Sequence, residues 1–162
     1  MTKLDKACYY ATKQVENHAV YVWSGQGEKL RKVTAVKIAA METSADNAAR
    51  VMRFIYAAKH YINKNTRIFD CSGLICCILI YAKVFSKGSD YTAKDLYPMF
   101  DSYSIESRRP GDLIFKKNNS GQIYHVGFVL NYDEAIEAKG RDYGIVKSRI
   151  DSSWTLCCRP NY

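Results

Sequence analysis

The sequence predicts an α+β fold, in which N-terminal helices pack on a C-terminal antiparallel sheet of about five strands. Helical periodicity dominates the first half of the chain, whereas strand-like runs joined by short links follow Asp112. Short links favour antiparallel pairing, because parallel strands need long crossover connections. With 162 residues and no internal repeat, we expect a single domain spanning residues 1–162.

Two helical segments are predicted before the central apolar run of the chain. Apolar residues at helical spacing predict a first helix over residues 3–18. Thr43-Ser44 can cap a second helix, whose apolar face continues to Ile62. We expect this second helix to lie within a helical insertion near 27–66, preceded by a loop at 26–29.

A further helix is predicted to begin in the segment Phe69-Asp70-Cys71-Ser72-Gly73, which precedes a long apolar run. Asp70 is suited to the N-cap position, because its carboxylate can accept hydrogen bonds from the free amides of the first turn. Cys71 then falls in that first turn, where the free N–H groups and the helix dipole favour negative charge. We therefore expect its thiol to ionise readily, and the thiolate is the nucleophilic form.

The second half of the chain contains five strand-like runs, at 112–116, 123–130, 134–139, 143–149 and 154–158. The second and third runs flank an Asn/Asp-bearing turn, which predicts a hairpin. A pairing centred on Asn131 places His125 directly opposite Glu137, with Cβ atoms roughly 4.5–5.5 Å apart. In that register the carboxylate can orient the imidazole ring.

A cysteine at a helix start, a histidine on a strand and an acid on the next strand are the parts of an activated thiol. Each part alone has an ordinary structural explanation, since most buried cysteines are inert and most strand histidines are structural. The three together predict Cys71 as nucleophile, His125 as base and Glu137 as the orienting group. His18 and His60 are weaker candidates for the base, because both are predicted near the ends of helices.

Five segments between residues 21 and 138 follow one another in an order known from one protein family. They are Tyr21-Val22-Trp23-Ser24-Gly25, Phe69-Asp70-Cys71-Ser72-Gly73-Leu74-Ile75, Arg109-Pro110-Gly111-Asp112-Leu113-Ile114-Phe115, His125-Val126-Gly127-Phe128-Val129 and Ala135-Ile136-Glu137-Ala138. The combination is far more specific than any one segment. In these segments the chain resembles the NlpC/P60 cysteine peptidases, papain-like enzymes that cut the stem peptides of peptidoglycan.

The resemblance implies a papain-like fold and a catalytic role for three residues. Cys71 matches the nucleophile, His125 the general base and Glu137 the third polar residue of the family. An acid in the third position would favour a standing pair of thiolate and imidazolium. The implied reaction is hydrolysis, through a thioester, of the bond between the γ-carboxyl group of D-glutamate and a diamino acid. Some members of the family instead cut the bond between muramic acid and L-alanine. The resemblance implies no metal ion and no cofactor.

The resemblance also implies a substrate pocket. Asp70 and Ser72 match residues that line this pocket and hold the amine of a stem peptide, and Tyr21 matches a tyrosine whose hydroxyl group points into the site. Ser24 departs from the family pattern, which has glycine there. The long stretch before the nucleophile segment suggests that the helical insertion flanks the cleft.

The charge of the chain restricts its partners less than the motifs do. The formal net charge is +8 and the isoelectric point is about 9.2, which favours polyanionic partners. We expect no nucleic-acid partner, because the charges are scattered and no RNA- or DNA-binding motif is present. An anionic cell wall would attract the same surface, although plain solubility explains the charge equally well.

The six cysteines lack the spacing of zinc sites, and a disulfide framework is not expected in a chain of this size. We therefore expect folding in a reducing cytoplasm. The start of the sequence shows no secretory signal, and the apolar run 74–81 is too short to span a membrane. A wall hydrolase would then need endolysin-like release by a phage holin or a specialised secretion system. Alternatively, the chain is one domain of a longer protein.

Two other functions remain open from the sequence. One is a Cys–His amidohydrolase, deamidase or toxin that acts on an amide outside the cell wall. The other is a catalytically silent wall-binding module, although the presence of both Cys71 and His125 argues against it. The oligomeric state is open as well.

Overall fold

The computed structural model describes all 162 residues and has the predicted α+β architecture. The helices are α1 Lys3–Glu16, α2 Ala35–Met41, α3 Ala45–Ala57, α4 Cys71–Tyr81 and α5 Ala93–Leu96. The strands are β1 Val20–Tyr21, β2 Gln26–Lys29, β3 Arg67–Phe69, β4 Asp101–Tyr103, β5 Leu113–Lys117, β6 Ile123–Val129, β7 Glu134–Gly140, β8 Gly144–Arg149 and β9 Leu156–Arg159. No helix has both the length and the apolar composition needed to cross a membrane.

The main sheet has six antiparallel strands in the order β4-β9-β5-β6-β7-β8. The five predicted runs correspond to β5 through β9. Sequence analysis missed the edge strand β4, because its three residues are exposed and carry no strand pattern. Pairing with β9 holds β4 in place, with Asp101 opposite Arg159 and Tyr103 opposite Cys157.

A smaller sheet of three strands, in the order β1-β3-β2, lies before α4 in the chain. Strands β1 and β3 are parallel, which sets Tyr21 beside Phe69. The prediction of a loop at 26–29 is wrong, because this segment forms β2 and pairs antiparallel with β3. Backbone pairing overrides the turn-forming composition of the segment here.

The predicted helices are present but shorter than expected. Helix α1 ends at Glu16 rather than at residue 18. Within the predicted pair Thr43-Ser44, Ser44 is the cap of helix α3. The helix ends at Ala57, so the predicted continuation to Ile62 is wrong. The amides of Tyr61 and Ile62 both donate to the carbonyl of Ala58, which forms a turn in place of further helix.

Helix α4 is buried along most of its length, between α1 and the main sheet. Leu74, Ile75, Ile78 and Leu79 are fully buried in the same cluster as Phe128 of β6. Each such side chain contributes roughly 1.5–3 kcal/mol when it is removed from water. These contacts hold the first turn of α4 at a fixed position relative to β6.

An ion pair joins Asp112, the residue before β5, to Arg159 at the end of β9. Asp112, which is 1% exposed, accepts hydrogen bonds from Nε and Nη2 of Arg159 at 2.7 and 2.8 Å. A buried carboxylate needs such a partner, because an unpaired charge is costly in the protein interior. All six cysteines are free thiols.

Candidate active site

Asp70 caps helix α4 as the sequence predicts. Its Oδ1 accepts hydrogen bonds from the amide of Gly73 at 2.7 Å and from the hydroxyl group of Ser72 at 3.3 Å. Cys71 is therefore the first residue of the helix. Burial raises the pKa of Asp70, and the hydrogen bonds that it accepts from Gly73, Ser72 and Ser24 oppose this shift.

The loop after β1 packs directly on the start of α4. The amide of Ser24 donates to Oδ2 of Asp70 at 3.0 Å. Ser24 has a φ of 62°, in the left-handed region that favours glycine, which explains why glycine is usual at this position of the motif. A Cβ atom on Gly73 would lie 2.1 Å from the carbonyl oxygen of Gly25, so only glycine allows this close approach.

The thiol of Cys71 is not ionised as readily as its place in the helix suggests. Burial, and secondarily the negative charge of Asp70, raise its pKa to about 11. The backbone amides of Val126, Ser72 and Cys71 itself act in the opposite direction and lower the pKa. Desolvation raises the pKa of the thiol more than the amides of the helix start lower it. The expected standing pair of thiolate and imidazolium is therefore not favoured in the free protein.

His125 and Glu137 meet as expected, but the predicted register of their strands is wrong. The ladder pairs Phe128 with Ile136 and Val129 with Ala135, which centres the hairpin on Tyr132 instead of Asn131. The amide oxygen of Asn131 accepts from the amides of Asp133 and Glu134 and so fixes this turn.

The shift in register is an even number of residues, so His125 and Glu137 stay on the same face of the sheet. They meet diagonally across the strands, and Nε2 of His125 lies 2.6 Å from Oε2 of Glu137. The contact occupies Nε2 and leaves Nδ1 as the ring nitrogen available for proton transfer.

The carboxylate of Glu137 is 3% exposed. Burial favours its neutral form, but hydrogen bonds with His125 and Ser148 and the charges of His125 and Lys116 outweigh burial, so its pKa is lowered. Glu137 is therefore an anion at neutral pH. An anion at this distance stabilises positive charge on the imidazole as that charge develops.

Trp154 supports the histidine from the same face of the sheet, and sequence analysis did not identify this role. Its ring centroid lies 5.4 Å from that of His125, and the ammonium group of Lys116 lies 4.3 Å from its indole centroid. A Cβ atom on Gly127 would lie 2.8 Å from Cη2 of Trp154, so the indole ring fits here because glycine has no side chain. The only sequence signal was the glycine two residues after the histidine.

One open cleft of about 650 Å³ brings most of the predicted site residues together. Five of the six line it: Tyr21, Asp70, Cys71, Ser72 and His125. Glu137 does not line the cleft and lies behind the imidazole. Sequence analysis missed a set of cations along the walls, which are Arg50, Lys94, Lys139 and Arg141.

Tyr21 forms part of the wall of the cleft near the thiol and Arg141. It is 8% exposed and lies in β1, beside the residue that precedes Asp70 in the paired strand. Burial, and secondarily the neighbouring thiol of Cys71, raise the pKa of Tyr21, so its hydroxyl group stays protonated and able to donate.

The chain is similar to solved structures of peptidoglycan hydrolases and related proteins. RipB, a peptidoglycan hydrolase of Mycobacterium tuberculosis, is 22% identical with a TM-score of 0.64, over 99% of this chain and 66% of that chain. The P60 domain of an antigen from M. avium subspecies paratuberculosis is 20% identical with a TM-score of 0.59, over 99% and 96% of the two chains. RipD of M. tuberculosis is 17% identical with a TM-score of 0.61, over 98% of each chain, and is described as a non-catalytic NlpC/p60 domain protein adapted to peptidoglycan binding.

These structural similarities support the fold. Among curated proteins, none has a significantly similar sequence. The model of the NlpC/P60 family matches residues 19–156, which include every segment of the cleft described above. The chain belongs to the NlpC/P60 family.

Proposed function

We propose that this protein is a cysteine endopeptidase that hydrolyses amide bonds in the stem peptides of peptidoglycan. The proposed bond joins the γ-carboxyl group of D-glutamate to a diamino acid. The observation that carries this proposal is the arrangement of three side chains. Cys71 and His125 line one cleft, and the buried anion of Glu137 holds the imidazole at 2.6 Å.

The first half of the proposed reaction forms a thioester. The sulfur of Cys71 attacks the amide carbonyl as its proton passes to Nδ1 of His125. Because burial raises the pKa of the thiol to about 11, the proton leaves during the attack instead of beforehand. The developing oxyanion faces the backbone amide of Cys71 and the hydroxyl group of Tyr21, which stabilise it.

The second half releases the products. His125 gives its proton to the leaving amine as the C–N bond breaks, which leaves the acyl group on Cys71. The neutral imidazole then takes a proton from water as the water oxygen attacks the thioester carbonyl. The C–S bond breaks to release the new carboxyl group, and the imidazolium returns its proton to the sulfur of Cys71. Glu137 stabilises the imidazolium in both halves and fixes the orientation of the ring.

The cell wall of bacteria is the proposed place of action. The net charge of +8 supports association with an anionic wall, and six free thiols are consistent with synthesis in a reducing cytoplasm. We propose endolysin-like release or specialised secretion as the route from the cytoplasm to the cell wall.

A silent wall-binding module is the second candidate. The raised pKa of Cys71 favours it, because a neutral thiol is a poor nucleophile. RipD, a similar structure described as non-catalytic, shows that the fold can serve binding alone. The pairing of His125 with Glu137 favours the enzyme, since a binding module has no need of an oriented base.

Mass analysis of muropeptides separates these functions. Purified sacculi are digested with the wild type, with Cys71→Ala, and with Cys8→Ala as a control that removes a thiol remote from the cleft. We expect the wild type and Cys8→Ala to release the same new peptide termini, and Cys71→Ala to release none. His125→Ala should also be inactive, and Glu137→Gln partly active.

Two results would contradict the proposal. Identical products from wild type and Cys71→Ala would remove Cys71 as the nucleophile. Intact sacculi after wild-type digestion would favour a binding module, or an amidohydrolase with a substrate outside the wall.

A further inference from the structure

Arg141 occupies a position in the cleft that the proposed reaction does not use. It lies in the turn between β7 and β8 and lines the same cleft as Cys71. The carbon of its guanidinium group is 5.2 Å from the ring centroid of Tyr21. Tyr21 in turn neighbours the thiol, so the guanidinium group is close to the place where a scissile amide would lie.

A buried carboxylate holds Arg141 in this orientation. The side chain of Glu42 is fully buried, and its Oε2 accepts a hydrogen bond from Nε of Arg141 at 2.8 Å and lies 2.7 Å from Nη2. Glu42 also accepts from the amide of Trp23 at 2.9 Å, which ties the guanidinium group to the loop beside the thiol. The arginine is therefore fixed before any substrate arrives.

One edge of this guanidinium group has no partner in the protein. Glu42 engages Nε and Nη2, whereas Nη1 forms no hydrogen bond with any protein atom. The side chain is 15% exposed and borders the cleft. Stability alone does not explain an arginine here, because apolar residues can replace a buried ion pair without loss.

We propose that Arg141 recognises a carboxylate of the substrate next to the scissile amide, so that the enzyme selects acidic stem peptides over their amidated forms. This inference rests on the proposed function. Guanidinium groups bind carboxylates through two parallel hydrogen bonds, and a preoriented group binds with less loss of entropy. Lys139 and Lys94 line the same cleft and add positive potential around the site.

The cleft also contains negative charge. Asp70 and Asp90 line it, and Asp90 is held by Nε2 of Gln26 at 3.0 Å. A cleft with both acidic and basic side chains suits a peptide that carries both an amine and a carboxylate. Amidation of that carboxylate removes its charge and replaces an acceptor with a donor, which leaves the donors of Arg141 unpaired.

A series of soluble stem peptides tests this inference. The parent peptide carries free carboxyl groups on D-glutamate and on the diamino acid, and two further peptides carry a carboxamide at one of these groups. We expect one amidated peptide to have a kcat/KM about 10- to 100-fold below that of the parent, as for loss of a hydrogen bond to a charged group. Which peptide is affected identifies the carboxylate.

Variants then assign the preference to Arg141. Loss of Arg141 alone would leave Glu42 buried without a partner and threaten folding, so the test uses Glu42→Gln/Arg141→Gln. The matched control is Asp112→Asn/Arg159→Gln, which removes a buried pair of the same kind at β5 and β9. We expect the ratio of kcat/KM between parent and amidated peptide to approach one in the first variant and to keep its wild-type value in the control.

The outcomes separate the two proposals. Cleavage of all three peptides at equal rates by the wild type would overturn the role of Arg141 and leave the proposed function standing. A wild-type preference that persists in Glu42→Gln/Arg141→Gln would also overturn it. Failure of the wild type to cut any of the peptides would contradict the proposed function and, with it, this inference.

Discussion

At the scale of single residues, two buried carboxylates orient side chains that line the cleft. Glu137 holds the imidazole of His125, and Glu42 holds the guanidinium group of Arg141. A carboxylate removed from water must be paired, so each anion fixes the position of its partner. The chemistry of the site therefore depends on groups that the substrate does not touch.

Glu137 should make stability depend on pH in the acidic range. Its pKa is lower in the folded protein than its ordinary value of 4.5, so its contribution is present above about pH 4.5 and is lost as the pH falls through the folded-state pKa. We expect the free energy of unfolding of the wild type to fall more steeply below about pH 4.5 than that of Glu137→Gln. Urea unfolding over a pH series measures the free energy of unfolding of both proteins. The same dependence on pH in the wild type and in Glu137→Gln would contradict the expectation.

Gly127 should be intolerant of a larger side chain because of Trp154. An added Cβ atom would lie 2.8 Å from the indole, so Gly127→Ala should lower the free energy of unfolding by about 1–3 kcal/mol and also reduce kcat by displacing His125. Thermal unfolding and peptide hydrolysis report the two effects. The smaller ring in Gly127→Ala/Trp154→Phe should recover part of the lost stability, whereas a single variant as stable as the wild type would contradict this packing.

At the scale of elements, the features that depend on local sequence are predicted, whereas the features that depend on strand pairing are not. The cap at Asp70 and the runs of β5 to β9 follow from side-chain type and spacing, which are local properties. The exposed strand β4 and the glycine-containing strand β2 exist because a neighbouring strand pairs with them. The hairpin register was missed for a similar reason, since the side chain of Asn131 moves the turn by hydrogen bonding to the backbone.

Removal of the cap at Asp70 should affect both stability and activity. Asp70→Ala loses the hydrogen bonds to the first turn of α4 and to Ser24, and loss of an N-cap costs about 0.5–2 kcal/mol. Ser44→Ala is the matched control, because Ser44 caps α3 through the amide of Asn47. We expect chemical denaturation to show a loss in both variants and kinetics to show a loss of kcat only in Asp70→Ala. Equal activity in the two would contradict a role for the cap in positioning Cys71.

At the scale of the whole molecule, the motifs point to five residues that line the cleft and to Glu137 behind the imidazole, but not to the cations along the walls. Arg141 and Glu42 are 99 residues apart, and neither has a sequence context that predicts the contact. Trp154 reaches His125 only after β9 joins the sheet beside β5. Such contacts depend on the assembled fold, so sequence periodicity cannot reveal them.

The net charge should make wall binding sensitive to salt. With a formal charge of +8, we expect retention on purified walls rich in anionic polymer to fall as salt rises from about 50 to 500 mM, because counterions screen exposed charges. Hydrolysis of a soluble stem peptide is the control and should change much less. Sedimentation with wall fragments measures the retention, and binding that is independent of salt would contradict an electrostatic contribution.

Alkylation by iodoacetamide, resolved by mass spectrometry for each cysteine, is the most direct test of an activated thiol in this fold. At neutral pH we expect Cys71 to react faster than the other five cysteines, because it is the one cysteine that lines the cleft with His125, which can take the thiol proton as the sulfur attacks. The rate at Cys71 should fall in His125→Ala and keep its wild-type value in His60→Ala. A Cys71 that reacts no faster than the buried cysteines, or at the same rate without His125, would contradict the account.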